Sequence, residues 1–200
     1  NKMNKFEEKK FDIGELKGIS KKSIDEHLKL YSGYVKNANT IIDKVNEMRI
    51  DTEKNSYAIS ETMRRFGFEY NGIRNHEVYF DSLSGGSNPL PSSSVLKKQI
   101  EKDFISFDKW LSEFKTLSMT RGIGWAMLYF DRKDNRLLNA WVDEQHIGQL
   151  QDCSLILALD MWEHSFVADY MPSGKKNYIE DFFSNLNWVK IEENLKNIIK

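Results

Sequence analysis

The sequence predicts an α+β fold, in which an N-terminal helical hairpin domain precedes an α+β domain with a small three-stranded antiparallel sheet. Apolar residues recur at intervals of three and four through much of the first half, which is the period of amphipathic helices. Short runs of β-forming residues, separated by turn residues, occur in the second half. Helices and strands that occupy separate stretches of the chain are typical of α+β proteins.

The first long helix is predicted over residues 20–48. Ser20 is a favourable N-cap residue, because its hydroxyl can accept a hydrogen bond from the first helical turn. The side chains that recur there at helical spacing are Ile24, His27, Leu28, Tyr31, Tyr34, Val35, Ala38, Ile41, Ile42 and Val45. Residues 1–19 are charged and contain Gly14 and Gly18, which predicts an extended arm before this helix.

Two further helical segments are predicted before the middle of the chain. The first begins at Asp51 and ends near Gly67, because glycine weakens a helix. The second covers residues 68–83, where apolar side chains again recur at helical spacing. These segments are expected to run antiparallel to the first helix and to complete a helical hairpin.

A linker is predicted at residues 84–94, which are dense in glycine, proline, asparagine and serine. Such residues favour turns over regular structure. We therefore predict an N-terminal helical domain at residues 1–87 and a C-terminal α+β domain at residues 88–200.

The C-terminal half is predicted to combine helices with the sheet. The predicted strands cover residues 124–130, 136–142 and 154–159, and a turn-like stretch makes the first two a hairpin. The predicted helices cover residues 95–118, with a break near Ser106, and residues 161–170, 176–185 and 188–199.

Composition argues against several classes of protein and site. The 29 basic and 30 acidic residues give a net charge of −1, so we expect no nucleic-acid partner. Apolar runs such as residues 155–159 are far shorter than the roughly 18 residues that span a bilayer, so we expect no membrane association. A single cysteine, Cys153, excludes an intramolecular disulfide and a cysteine-based zinc site. We expect a cytoplasmic protein, although the start at Asn1 leaves open a leader that has been removed.

A candidate metal site begins with Asp160, which ends an apolar strand. A buried carboxylate there is costly unless it is paired or bound to a cation. His164 follows four residues later, about one helical turn away, so the two side chains can converge on one ion. The alternative is that Asp160 caps the following helix and that His164 is an ordinary core histidine.

Two more histidines, His27 and His76, lie on apolar helix faces, where a single histidine is more often structural than a ligand. Together with His164 and Asp160 they offer three imidazoles and one carboxylate. That donor set suits iron or manganese. It argues against a structural zinc site, which favours cysteine and histidine.

These residues lie in motifs that resemble the iron/manganese superoxide dismutase family. The segment Asp160-Met-Trp-Glu-His164-Ser-Phe-Val-Ala-Asp-Tyr170 is similar to the family signature D-x-W-E-H-A-(Y/F)-x-x-x-Y. Weaker matches occur in the same order over roughly residues 11–198. They are Tyr34-Val-Lys-Asn-Ala-Asn39, Asn75-His76-Glu-Val-Tyr-Phe80, Gly122-Ile-Gly-Trp125, Tyr178-Ile-Glu-Asp-Phe-Phe and Asn187-Trp188.

The resemblance implies one iron or manganese ion per subunit, held between the two domains by His27, His76, Asp160 and His164. It implies an enzyme that converts superoxide to dioxygen and hydrogen peroxide as the ion cycles between its trivalent and divalent states. The alternative is an inactive or repurposed protein of the same fold, either an interaction module or another metal-dependent oxidoreductase. The resemblance leaves open iron against manganese.

The resemblance also assigns roles around the ion. Tyr34 matches the gateway tyrosine, and Gln145 matches the residue that hydrogen-bonds the metal-bound solvent, with the neighbouring His146 as the alternative. Trp125 and Trp162 match aromatic walls of the pocket. Iron-type members carry their glutamine at the position of Gly72, so Gly72 with Gln145 is the manganese-type arrangement.

The first helix departs from the family pattern H-x-x-x-H-x-x-x-Y. His27 precedes Tyr34 by seven residues rather than eight, and the intervening histidine is absent. Either the helix has lost one residue or Glu26 fills the ligand position. We prefer His27, because it shares a helix face with Tyr34 while Glu26 is rotated away by about 100°.

Other family positions concern the subunit contact. The tyrosine that pairs across the dimer with the missing histidine is Val167 here, so both partners are absent together. Glu163, which in the family bridges to the partner's ligand histidine, is retained, and we expect a homodimer, with a tetramer left open. Lys175 replaces the usual arginine and keeps a positive charge that can attract superoxide.

Overall fold

A computed structural model describes residues 5–199 and confirms the predicted α+β fold class. The helices are α1 Lys21–Met48, α2 Ser56–Ser82, α3 Val95–Phe104, α4 Phe107–Ser118, α5 Val167–Tyr170, α6 Lys175–Ser184 and α7 Trp188–Lys196. The strands are β1 Gly124–Asp131, β2 Arg136–Asp143 and β3 Cys153–Asp160. Short 3₁₀ turns occur at Arg49–Asp51, Glu163–Ser165 and Pro172–Gly174.

Helices α1 and α2 form the long hairpin of the N-terminal half. The Ser20 hydroxyl accepts a hydrogen bond from the Ser23 backbone N–H and caps α1, as expected. Helix α2 is continuous, so the predicted break at Gly67 is wrong, and the helix begins at Ser56 rather than Asp51. One glycine costs a helix only about 1 kcal/mol, and packing against α1 over several turns outweighs that cost.

The antiparallel sheet has the order β2–β1–β3 and confirms the three predicted strands. Central strand β1 is buried over residues 124–130, between its two neighbours and the helices. In the β1–β3 register Trp125 lies opposite Asp160, the last residue of β3. The sheet therefore brings the carboxylate to the end of the strand nearest Trp125.

Residues 161–170, predicted as one helix, form a 3₁₀ turn at Glu163–Ser165 followed by the short α5. Trp162 is extended, with ψ of 144°. Asp160 Oδ1 accepts a hydrogen bond from the Trp162 backbone N–H at 2.9 Å, which turns the chain instead of starting a helix. This local bond is why the prediction of a longer helix is wrong.

The N-terminal arm is extended, as predicted, over the part that the structure describes, while residues 1–4 lie outside the described residues. It contacts both halves of the chain. The Lys9 backbone N–H donates to the Tyr31 hydroxyl in α1, whereas Lys17 exchanges two hydrogen bonds of 2.9 Å with the Asn185 side chain. Gly18 has φ of +75°, and a Cβ there would overlap Asp181.

The segment predicted as a linker is anchored to the C-terminal half. Asn88 exchanges backbone hydrogen bonds of 3.0 Å with Leu186 and Trp188. Buried apolar side chains from before and after this segment join in one core. The domain boundary between residues 87 and 88 stays a prediction. Within residues 5–199, no helix combines the length and apolar character needed to cross a membrane.

Candidate metal centre

The fold brings the four predicted ligands together. One potential ligand atom from each of His27, His76, Asp160 and His164 lies within 4.8 Å of the others. His27 comes from α1, His76 from α2, Asp160 from the end of β3 and His164 from the 3₁₀ turn that follows. The first three side chains are at most 1% exposed and His164 is 24% exposed.

One carboxylate oxygen is the point on which the imidazoles converge. Asp160 Oδ2 lies 2.9 Å from Nε2 of His27, 3.1 Å from Nε2 of His164 and 3.4 Å from Nε2 of His76. Each half of the chain therefore supplies two of the four side chains, as predicted.

The hydrogen bonding of the His76 ring indicates whether this group of side chains fits a cation. Its Nδ1 lies 2.6 Å from the Gly72 carbonyl oxygen, which can only accept, so Nδ1 carries the proton. Burial lowers the pKa of His76 to about 3, which leaves the ring neutral near pH 7. Its Nε2 is therefore a buried acceptor without a hydrogen-bond partner, and it faces the acceptor Oδ2 of Asp160. A cation bound by both atoms resolves this conflict.

The charges also fit a cation. Burial acts to raise the pKa of Asp160, but His164 and His27 outweigh it and hold the pKa of that carboxyl well below its usual range. Burial lowers the pKa of His27. The group thus offers an anionic oxygen and, in His27 and His76, neutral imidazole nitrogens, a donor set without thiolate that suits iron or manganese.

Asp160 is held in place by bonds on both sides. Its Oδ1 accepts the Trp162 N–H at 2.9 Å, and its backbone carbonyl accepts the Tyr178 hydroxyl at 2.9 Å. The Tyr178 hydroxyl also lies 3.0 Å from that of Tyr79 in α2. Oδ1 therefore fixes a local turn and does not cap a helix, while Oδ2 faces the imidazoles.

Beside the ligands, Tyr34 belongs to a hydrogen-bonded chain of side chains. Gln145 Nε2 donates to the Tyr34 hydroxyl oxygen at 3.0 Å, and Trp125 Nε1 donates to Gln145 Oε1 at 3.0 Å. The Tyr34 ring centroid lies 5.0 Å from that of His76. His146 lies outside this chain and packs edge-on against Phe68, so the geometry favours Gln145 over His146.

Gly72 is required by the packing of Tyr34. A Cβ at residue 72 would overlap the Tyr34 ring and would lie only 2.6 Å from Cγ. A glutamine side chain on this turn of α2 would therefore displace Tyr34. Gln145 reaches the site instead from the loop between β2 and β3.

Aromatic side chains enclose the centre. The Trp162 ring stacks on His164 with centroids 5.6 Å apart, and its Nε1 donates to the Glu144 carbonyl at 3.0 Å. Trp125 meets His76 edge-on at 5.0 Å. Both tryptophans thus contact predicted ligands, and their role as walls of the pocket stays a prediction.

The register of α1 agrees with the choice of His27. The helix is α-helical without interruption, so seven residues place His27 and Tyr34 about 20° apart around its axis. Glu26 is exposed, and its carboxylate pairs with Lys29 Nζ at 2.6 Å. Its side chain therefore lies apart from the three imidazoles.

Comparison with known proteins agrees with this geometry. Residues 91–194 match the family described as iron/manganese superoxide dismutases, C-terminal domain. The chain is 34% identical to a protein of Cupriavidus metallidurans named as an iron superoxide dismutase. The 176 aligned residues cover 86% of each chain.

The chain belongs to the iron/manganese superoxide dismutase family. It is also similar to a protein of Aquifex pyrophilus named as an iron superoxide dismutase, with 32% identity over 92% of this chain and 88% of that one. A protein of Mycobacterium leprae named as a manganese superoxide dismutase is 29% identical over 83% of this chain and 79% of its own length.

Two residues that the family resemblance singled out lie apart from the four convergent ligand atoms. Lys175, the first residue of α6, donates from Nζ to the Thr120 carbonyl at 2.6 Å. Glu163 is exposed beside His164, and its carboxylate has no hydrogen-bond or ion-pair partner within residues 5–199. Both line a surface cavity that also includes Ile123. Their roles stay predictions.

Sequence reasoning missed Phe68, which touches three of the predicted site residues. Its ring centroid lies 5.9 Å from Tyr34, 5.8 Å from His146 and 6.5 Å from Trp162. The signal was present in the spacing, because residues 68, 72 and 76 share one face of α2 at intervals of four.

Proposed function

We propose that this protein is a superoxide dismutase, with one iron or manganese ion held by His27, His76, Asp160 and His164. The observation that carries the proposal is the buried, unpartnered Nε2 of His76, which faces Asp160 Oδ2 in the middle of the cluster. Such an ion would supply the one-electron redox chemistry by which two superoxide ions and two protons become dioxygen and hydrogen peroxide.

The residues of the chain keep the ligands in the form that binds a cation. The Gly72 carbonyl holds the proton of His76 on Nδ1 and leaves Nε2 free to coordinate. The Trp162 N–H fixes the orientation of the Asp160 carboxylate, and the Tyr178 hydroxyl holds the Asp160 backbone carbonyl. Such hydrogen bonds around the ligands are known to tune a metal site.

Tyr34 holds a proton beside the centre, and Gln145 orients its hydroxyl. Peroxide formation consumes two protons, so a protonated group close to the substrate is needed. Burial raises the pKa of Tyr34 above its usual value, which keeps the phenol protonated. Because Gln145 Nε2 already donates to the phenol oxygen, the Tyr34 proton is free to point towards the substrate.

The alternative of an inactive or repurposed protein has no specific observation in its favour. All four ligand side chains are present and converge within 4.8 Å. The shifted register of α1, which raised the alternative, leaves His27 in the cluster.

We also propose that two copies associate through the surface around Glu163. This carboxylate lies next to His164 without a partner in the described part of its own chain, and the 44% exposed Ile123 lines the same cavity. A mass in solution of twice 23.5 kDa supports the proposal, and the monomer mass at micromolar concentration contradicts it.

A cytoplasmic location is proposed from the single cysteine alone, which suits a reducing compartment.

Elemental analysis and an activity assay on iron-loaded and manganese-loaded protein test the proposed reaction. We expect about one equivalent of metal per chain and rapid superoxide decay in at least one loaded form. Less than about half an equivalent of either metal after reconstitution would contradict the proposal. Both metals are compared because the relatives include proteins named for each.

A further inference from the structure

Arg65 covers the outer face of the aromatic residue that borders the centre. Its guanidinium carbon lies 3.6 Å from the centroid of the Phe68 ring, which is the geometry of a cation–π contact. Phe68 in turn contacts Tyr34 and Trp162. One ring thus separates the Arg65 charge from the predicted gateway tyrosine.

The exposure of the site residues shows where the centre opens to solvent. His27, His76 and Asp160 are at most 1% exposed. His164, Tyr34 and Trp162 are each partly exposed. Since Phe68 contacts two of these three, Arg65 lies at the rim of the opening through which a small anion would enter.

The Arg65 guanidinium is paired with a carboxylate at Nε, while its two outer nitrogens are free in the described part of the chain. Arg65 Nε forms an ion pair with Glu69 Oε1 at the long distance of 3.4 Å, and Glu69 is the only hydrogen-bond partner of the Arg65 side chain within residues 5–199. The side chain is 54% exposed. A guanidinium has five N–H donors, so four of them remain available to an approaching anion.

The overall charge of the chain leaves a role for such a local group. With a net charge of −1, the protein as a whole does not attract anions. A fixed cation at the rim raises the local concentration of an anionic substrate and its rate of encounter. We propose that Arg65 steers superoxide into the metal centre, an inference that rests on the proposed dismutase function.

Arg64 offers a matched control on the same helix. Its side chain is 75% exposed and pairs with Glu61 at 2.9 Å. Replacing Arg64 or Arg65 by glutamine changes the net charge by the same amount. A general effect of charge would therefore lower kcat/KM in both variants, whereas steering at the rim would lower it only in Arg65→Gln.

The experiment measures kcat and kcat/KM of the metal-loaded protein against ionic strength, with metal content and thermal midpoint recorded for each variant. At about 0.01 M salt we expect Arg65→Gln to lower kcat/KM about three- to ten-fold with kcat unchanged. The difference should vanish near 0.3 M salt, where screening acts over about 6 Å. Arg65→Lys should keep most of the rate, and Arg64→Gln should match the parent protein.

Equal kcat/KM values for Arg65→Gln and Arg64→Gln at low salt, in an active parent protein, would overturn the steering role and leave the proposed reaction intact. A loaded parent protein without activity would instead contradict the proposed function. If Arg65→Gln fails to fold, Arg65→Met decides the question, because it keeps an unbranched apolar chain over Phe68 without the charge. A salt-independent loss in Arg65→Met would also overturn steering.

Discussion

The two halves of the molecule supply two ligands each, but they hold them in different ways. His27 and His76 lie on helices of 28 and 27 residues and are fully buried. Asp160 and His164 lie where β3 ends and the chain passes through extended and 3₁₀ backbone. The helical half sets its ligands by the regular geometry of α1 and α2, whereas the C-terminal half sets them by individual hydrogen bonds.

The supporting bonds show the same contrast. His76 is oriented by Gly72, four residues earlier in its own helix. Asp160 is oriented by Trp162 and by Tyr178, which reaches it from α6. His76 is therefore supported within its own helix, whereas Asp160 also depends on a separate segment.

The largest expected effect comes from removing a ligand of the helical half. His27→Ala should lower metal affinity by more than about 100-fold, since it deletes an imidazole 2.9 Å from Asp160 Oδ2. Glu26→Ala is the neighbouring control and should leave metal content unchanged, because Glu26 pairs only with Lys29 at the surface. Chelator competition followed by elemental analysis measures both. Loss of metal in Glu26→Ala alone would show that the ligand assignment is wrong.

Two glycines of α2 test whether the helix itself positions Tyr34. Gly72→Ala should destabilise the protein by about 1–3 kcal/mol, because its Cβ overlaps the Tyr34 ring. Gly67→Ala should be neutral or stabilising by up to about 1 kcal/mol, since its Cβ meets His146 at an ordinary 3.6 Å and alanine favours a helix. Urea unfolding compares the two variants. Equal effects would mean that Tyr34 is free to move away from α2.

The burial of His76 predicts a pH dependence of the metal-free protein. The pKa of His76 falls from its ordinary 6.5 to about 3 on folding, so the unfolded chain binds a proton that the folded chain excludes. Stability should therefore fall as pH drops below 6.5, by about 2 kcal/mol between pH 7 and pH 5 from this residue.

Urea midpoints of the metal-free protein at the two pH values measure this dependence. His76→Gln serves as the control, because it removes the titrating group while keeping a polar side chain. An equal fall with pH in both proteins would show that His76 is not its source.

The smallest effect is expected at a single bond of the C-terminal half. Lys175→Gln removes the bond from Nζ to the Thr120 carbonyl and should cost about 1 kcal/mol, since the lysine is only partly buried. Lys176→Gln, which changes an exposed neighbour, is the control. Equal thermal midpoints for the two variants would show that this bond does not stabilise the start of α6.

The convergence of His27 and His76 could be predicted from the sequence, because both lie on the apolar face of an amphipathic helix, and their role as ligands stays a prediction. The choice of His27 over Glu26 could be argued from rotation about the α1 axis alone. The prediction that a helix ends near Gly67 was wrong, because the cost of one glycine is smaller than the stabilisation from packing against α1.

What could not be predicted depends on individual side-chain contacts, some within a few residues and some between helices. The bond from Trp162 to Asp160 Oδ1 replaces a predicted helix by a turn, and propensity does not reveal it. The position of Arg65 over Phe68, at the rim, depends on how α2 meets Trp162. The packing of Tyr34 on Gly72 likewise joins two helices.

The span of the contacts within the chain sets an order of events during its synthesis. The contact of His27 with Asp160 cannot form until a residue 133 positions later has been made. The hydrogen bond of Lys17 in the arm likewise needs Asn185, 168 positions later. The helical hairpin can form on the ribosome, but the complete ligand set exists only after His164 has been made. The full ligand set is therefore synthesised before Asn185, which the arm needs for its own hydrogen bonds.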